Sequence, residues 1–128
     1  MSRMSERTKN PMNVRFSKSN NWKGKTGENY KGFECFIDDR YSVRAAHRLM
    51  SSYQKYGIRT IGAFIRRYAP ANENDTEMYI KRVCRMTGLI QETIIDNEAI
   101  EILLLQAMAV VESGSIMSMA YIKESIAL

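Results

Sequence analysis

From residue 38 onward, apolar side chains recur every three or four positions, the repeat of helices that bury one face. Asp38 or Asp39 can cap a helix running to about residue 56, with Val43, Ala46, Met50 and Tyr53 inward and Gly57 as its stop. Thr60 can cap a shorter helix, where Ile61, Phe64, Ile65 and Tyr68 fall at i, i+3, i+4 and i+7 before Pro70 ends it. Asn74 followed by Glu77 matches a capping box. It opens a third helix that buries Tyr79, Ile80, Val83 and Met86 and stops at Gly88. Asp96 or Asn97 caps a fourth helix, whose apolar face is the widest: Ile100, Leu103, Leu104, Ala107, Met108 and Val111, closed by Gly114. That helix is expected at the centre of the molecule. A last helix over about residues 117–127 would close the core with Met119, Ile122 and Ile126.

The front of the chain lacks this repeat. Residues 1–9 are polar, basic and aperiodic, and are expected to be disordered. Residues 10–32 are rich in Asn, Gly, Ser and Lys, which suits loops and tight turns, with a short extended piece at residues 14–16. Residues 33–37 can form a second short strand, with Phe33, Cys35 and Ile37 on one side and Glu34 and Phe36 on the other. The expected fold class is therefore mainly α, an α+β arrangement with a small N-terminal β element. One helical domain spans residues 10–128 behind the basic N-terminus.

Length and composition agree: 128 residues make one domain, and 45% hydrophobic with 26% charged residues is a globular balance. No apolar run approaches the roughly 20 residues of a membrane helix, and the front has no secretory signal pattern. Cys35 and Cys84 make neither a disulfide framework nor a zinc site. A single His47 excludes multi-histidine metal sites, so neither metal nor cofactor is expected. The net charge of +5 is uneven. Residues 1–32 hold eight Lys/Arg and two Glu, residues 33–88 ten and six, residues 89–128 one Lys and six acids. A basic front suits a polyanionic partner, nucleic acid or an acidic wall polymer, or serves only to keep the chain in solution. No RNA- or DNA-binding signature sharpens the nucleic-acid option.

Blocks that begin at Asn10-Pro11-Met12-Asn13-Val14-Arg15 and end at Glu112 and Gly114 resemble those of a family of small phage and mobile-element proteins often labelled virion structural proteins. The residues that carry the likeness are Asn10-Pro11-Met12-Asn13-Val14-Arg15, then Asn21-Trp22-Lys23-Gly24, Phe33 and Phe36. Arg44-Ala45-Ala46, Arg67-Tyr68-Ala69-Pro70, Glu73-Asn74-Asp75-Thr76, Tyr79, Val83 and Ala107-Met108-Ala109 with Glu112 and Gly114 follow. The blocks span about residues 7–115. Met12, Ser42 and Tyr68 depart from the usual Gly or Leu, Gly, and Trp. The likeness implies phage origin and little about chemistry.

The block from Gln106 to Gly114 carries a weaker resemblance that bears on chemistry, to lysozyme-like N-acetylglucosaminidases and lytic transglycosylases. Those enzymes carry a helix reading approximately QAxxESG whose Glu is the acid. Here Gln106-Ala107-Met108-Ala109-Val110-Val111-Glu112-Ser113-Gly114 lies at the end of the chain, and the remaining blocks come before it in the enzymes' order. The resemblance implies a circularly permuted lysozyme-like domain, a change of chain order that nearby termini make cheap.

Glycoside cleavage needs a carboxylic acid still protonated near neutral pH, which apolar surroundings favour. Glu112 answers that need, at the edge of the most apolar helix and near its C-terminus, where the helix dipole disfavours a bare carboxylate. Glu73 is the second catalytic candidate, to hold a water or steady a sugar cation, or simply a loop acid. Tyr68 and Tyr79 would line the cleft, or pack in the core with their hydroxyls at its edge. Asn10, Asn13, Arg15 and Asn74 would hold N-acetyl groups or a peptide carboxylate, although Asn side chains also bond nearby backbone. Trp22 would stack on a sugar or cover the core. The expected partner is the glycan strand of peptidoglycan, with other virion proteins beside it, and no membrane. Lacking a signal peptide, the protein is expected in the virion or the host cytoplasm. The rival expectation is a non-catalytic virion protein whose basic face holds nucleic acid or a capsid component.

Overall fold

The computed structural model describes residues 4–128. A single helical turn, α1 (Met4–Thr8), opens the chain. Residues 1–3 of the segment expected to be disordered lie outside the described residues. The rest of it is structured: Thr8 is buried, and its hydroxyl donates to the Met4 carbonyl at 2.9 Å.

The β element is an antiparallel hairpin of β1 (Lys25–Tyr30) and β2 (Phe33–Phe36). Tyr30 pairs with Phe33, so Lys31 and Gly32 form the turn, at φ 53° and 85°. Two consecutive positive φ values are those of the tight turn whose twist matches a hairpin. The strand β1 was expected to be loop. Its sequence, KTGENY, is polar and mostly exposed, so no alternation announces it. The extended piece at residues 14–16 lies along the other edge of β2. Glu34 N–H donates to the Val14 carbonyl at 3.0 Å, and Phe16 N–H to the Gly32 carbonyl at 2.9 Å.

Five helices follow. In α2 (Asp39–Lys55), Asp38 caps by accepting from Arg40 N–H, and Val43, Ala46 and Met50 are buried. Thr60 caps α3 (Ile61–Tyr68), accepting from Ala63 N–H. The cap of α4 (Thr76–Thr87) is Asp75, which accepts from Met78 N–H, and not Asn74. Glu77 is therefore not the partner of a capping box; it pairs with Arg66 of α3. Met86 of α4 is exposed, in contrast to the expected burial. Asn97 caps α5 (Glu98–Ser113), and Gly114 ends it in the left-handed conformation. Ser118 caps α6 (Met119–Ile126), where Ile122 is buried but Met119 is exposed.

The helix α5 is the central element. It packs against α4 and α6, while α6 lies on α2. Its buried set, Ile102, Leu104, Leu105, Ala107, Met108 and Ala109, is wider than one stripe and reaches residues outside the expected face. A helix walled on several sides buries more than one face. Leu104 is fully buried, so Leu104→Ala is expected to cost about 2–5 kcal/mol through lost packing and a residual cavity. Denaturant midpoints of the two proteins measure it.

The N-terminal loop is built into this core rather than laid over it. Met12 and Val14 are buried. Asn10 beneath them is a hub: its amide donates to the carbonyls of Val14 (2.9 Å) and Glu34 (3.0 Å). Its Oδ1 accepts from Val14 N–H (2.9 Å) and the Ser42 hydroxyl (2.8 Å). That Ser42 oxygen in turn accepts from Met12 N–H at 3.0 Å. The glycine of the Trp22-Lys23-Gly24 motif also has a physical reason. Gly24 sits at φ 81°, and a Cβ there would stand 2.2 Å from the Tyr41 ring.

Candidate active site

The hub fixes a tight turn whose exit residue, Asn13, adopts φ 51°, with its N–H bonded back to the Asn10 carbonyl at 3.0 Å. Asparagine tolerates this left-handed conformation better than most side chains. The turn aims the Asn13 amide at the last turn of α5. There it donates both to the Glu112 backbone carbonyl (3.0 Å) and to Glu112 Oε1 (2.9 Å). The other carboxylate oxygen, Oε2, accepts from the Tyr79 hydroxyl of α4 at 2.9 Å. From α3, the Tyr68 hydroxyl donates to the Met12 carbonyl at 2.6 Å and steadies the turn from its other side.

Glu112 is half-buried and forms one wall of a cavity of about 120 Å³. Asn13, Arg15, Tyr68, Glu73 and Asn74 line the same cavity, and so does Phe33 from β2. Arg15 crosses it, with one guanidinium nitrogen 2.7 Å from Glu73 and its plane 4.4 Å over the Phe33 ring. The Asn74 amide donates to the Pro70 carbonyl at 3.3 Å, which ties down the loop before α4. A larger apolar hollow of about 270 Å³ between α4, α5 and residues 116–117 has no titratable lining residue and offers no acid–base chemistry.

Burial pushes the Glu112 carboxyl above its ordinary value; the hydrogen bonds from Asn13 and Tyr79 and the charge of Arg15 oppose this without cancelling it. Burial, with the nearby Glu112 charge, also pushes the phenols of Tyr68 and Tyr79 well up, so both serve as neutral donors. The raised Glu112 value has a consequence for stability. In acid the carboxyl is protonated whether the chain is folded or not, and its burial costs no charge. As pH rises through the ordinary glutamate range towards the folded-state value, the unfolded chain ionises more readily and the folded state loses ground. Glu112→Gln is therefore expected to gain stability relative to wild type between about pH 4 and pH 7. Denaturant midpoints at the two pH values check this.

The structure thus gathers Glu112, Glu73, Asn13, Arg15, Tyr68, Asn74 and the Tyr79 hydroxyl around one site. It does not bring in two residues expected there. Asn10 is fully buried, and the four bonds of its hub use both amide hydrogens and both lone pairs of its oxygen, so none remains for a ligand. Trp22 packs partly buried against the core, with its indole nitrogen sealed from solvent, and does not line the cavity. Phe33 was not anticipated. Its strand position and its place in the family blocks give it no site role, and a ring beneath an arginine 18 residues away leaves no local signal. Among the described residues no three His, Cys, Asp or Glu side chains come together as a metal would require.

No family model matches the chain. Protein P5 of Pseudoalteromonas phage PM2 is 33% identical over 113 residues, which cover 85% of this chain and 70% of that protein. This chain belongs to the Protein P5 family. Its membership agrees with the phage origin that the sequence blocks imply. The mainly helical fold with its two-stranded hairpin is accordingly a structure for this P5-family chain. No helix among the described residues is long and apolar enough to cross a membrane.

Proposed function

We propose that this P5-family protein cleaves the glycan strands of peptidoglycan, with Glu112 as general acid, and that its domain is a circularly permuted relative of the lysozyme-like fold. One observation carries the reading: a half-buried carboxyl, raised by burial, lies in a polar cleft with donors fixed on both of its oxygens. An acid of this kind can protonate a leaving glycosidic oxygen near neutral pH. Two donors from different elements hold the carboxyl in one orientation, so its remaining lone-pair positions face the cleft. After proton transfer, Asn13 and Tyr79 stabilise the carboxylate that is left.

Glu73 has a different environment. It is ion-paired with Arg15 and lines the same cleft as Glu112, where its carboxylate would steady a developing sugar cation and the Arg15 guanidinium would hold a polar substituent. Asn13, Arg15 and Asn74 supply the polar rim for N-acetyl and peptide groups. Lysis of the wall from a virion or at the end of infection is the setting this chemistry fits. The test is release of reducing ends or anhydro-sugars from purified peptidoglycan by wild type, with DNA retention measured in parallel. Release supports the enzyme. Inert wild type that binds DNA tightly, and less so with rising salt, supports a virion protein with a basic face instead.

A further inference from the structure

A second hollow of about 140 Å³ adjoins the Glu112 cavity. Asn13, Arg15 and Tyr68 line both, so these three form the partition between them. Beyond the partition the walls are Phe16, Ser17 and Asn20 from the N-terminal loop, and Leu49 and Tyr53 from α2. Three of these present apolar surface. The other two present a hydroxyl and an amide, and no carboxylate lines the space.

The walls are held firmly. Tyr53 packs on Phe64 with ring centroids 5.7 Å apart, and the Arg67 guanidinium lies 5.5 Å over its ring. The Asn20 backbone carbonyl accepts from Lys25 Nζ at 2.8 Å, and its N–H donates to the Ser17 carbonyl at 3.2 Å. Among the described residues nothing bonds the Asn20 side-chain amide, although the backbone that carries it is fixed. Within the partition Asn13 and Tyr68 are hydrogen-bonded in place, and Arg15 is the softest part. The Arg15 side chain is 49% exposed, and its partner Glu73 is 39% exposed. Exposed ion pairs of this kind hold weakly and exchange partners readily.

We infer that the groove continues past Arg15, and that Phe16, Ser17, Asn20, Leu49 and Tyr53 form a binding subsite for a further N-acetylated sugar of the same strand. A pyranose ring has an apolar face and a polar rim, the two characters this hollow combines. Tyr53, Phe16 and Leu49 take the face, and Asn20 and Ser17 the hydroxyls or the acetamido group. This inference rests on the glycan-cleaving reading and adds to it: the protein discriminates long strands from short fragments.

The experiment uses the full chain carrying Glu112→Gln, so that ligand is not consumed, and soluble N-acetylglucosamine oligomers as probes. Affinity is compared for a disaccharide and a hexasaccharide, alone and with Leu49→Arg or Asn20→Ala added. The expected result is about tenfold or more tighter binding of the longer oligomer. Leu49→Arg should abolish that preference and Asn20→Ala should reduce it. Thermal unfolding confirms that each variant is folded; Asn20→Ala removes no intrachain side-chain bond and keeps the test open if Leu49→Arg does not fold. Equal affinity for both lengths, or a preference unchanged in a folded variant, overturns the subsite. Wild type is assayed alongside on purified peptidoglycan. If it cleaves while the length preference is absent, only the subsite fails. If it neither binds oligomers nor cleaves, both readings fail.

Discussion

Glu112→Gln is expected to fold as wild type does and to lose about 10²–10⁴-fold in turnover on peptidoglycan, the range that general-acid catalysis contributes. The swap is nearly isosteric, and the pocket can accept it. The new amide oxygen can take the Asn13 hydrogen bond that Oε1 now accepts, and the new NH₂ can donate to the Tyr79 oxygen once that hydroxyl rotates away. An amide in that position cannot release a proton to a leaving oxygen. Binding should survive while kcat collapses, the signature of a group that acts in the transition state alone. Reducing-end release and circular dichroism on the same preparations separate lost chemistry from lost structure. Wild type and variant equally inert on intact wall would end the enzyme reading.

The second large effect belongs to a residue that touches no ligand. Asn10→Ala removes all four hub bonds at once and leaves Val14 N–H and the Glu34 carbonyl short of partners in a dry interior. Each orphaned buried group costs about 1–3 kcal/mol, so a loss of several kcal/mol is expected. Because the hub shapes the turn that carries Asn13, activity should fall with stability. Asn13→Ala should behave differently. Its bonds lie at the half-buried edge of the site, so the fold should persist while the acid loses one of its two anchors. Denaturant melts beside activity assays distinguish the two: Asn10→Ala moves both, Asn13→Ala mainly the second. A stable Asn10→Ala protein with intact activity would contradict the hub account.

These two asparagines differ in a way that local sequence does not encode. Both stand in one polar loop, three residues apart, and both were read as ligand-binding. What separates them is burial, set by contacts with Ser42 and Glu34 that lie 32 and 24 residues away. The helices were legible because their information is local. Asp38, Thr60 and Asn97 bond to N–H groups two or three residues on, and Gly88 and Gly114 end helices in a conformation they adopt freely. Asp75 took the cap expected of Asn74 because both side chains can do it and the chain's path before α4 chooses. Strand β1 was not legible, since an exposed polar strand lacks the alternation that burial imposes. Glu112 was legible as an odd acid on an apolar helix near its C-terminus. Its partners Asn13 and Tyr79 could be named as candidates, but no spacing along the chain could pair them with it.

The bond between Asn13 and Glu112 joins residues 99 positions apart. Closing so long a loop is entropically opposed until the intervening helices have shortened the path. The donor side of the site lies early in the chain and the acid late, on a helix that needs α4 and α6 around it. A ribosome releasing this protein from its N-terminus therefore exposes the cleft's floor long before its acid. A fragment cut between α4 and α5 keeps Asn13, Arg15 and Tyr68 but has no Glu112 to offer them. The contact between Asn13 and Glu112 is thus a late event in the history of each molecule, made only when the last helices close the fold.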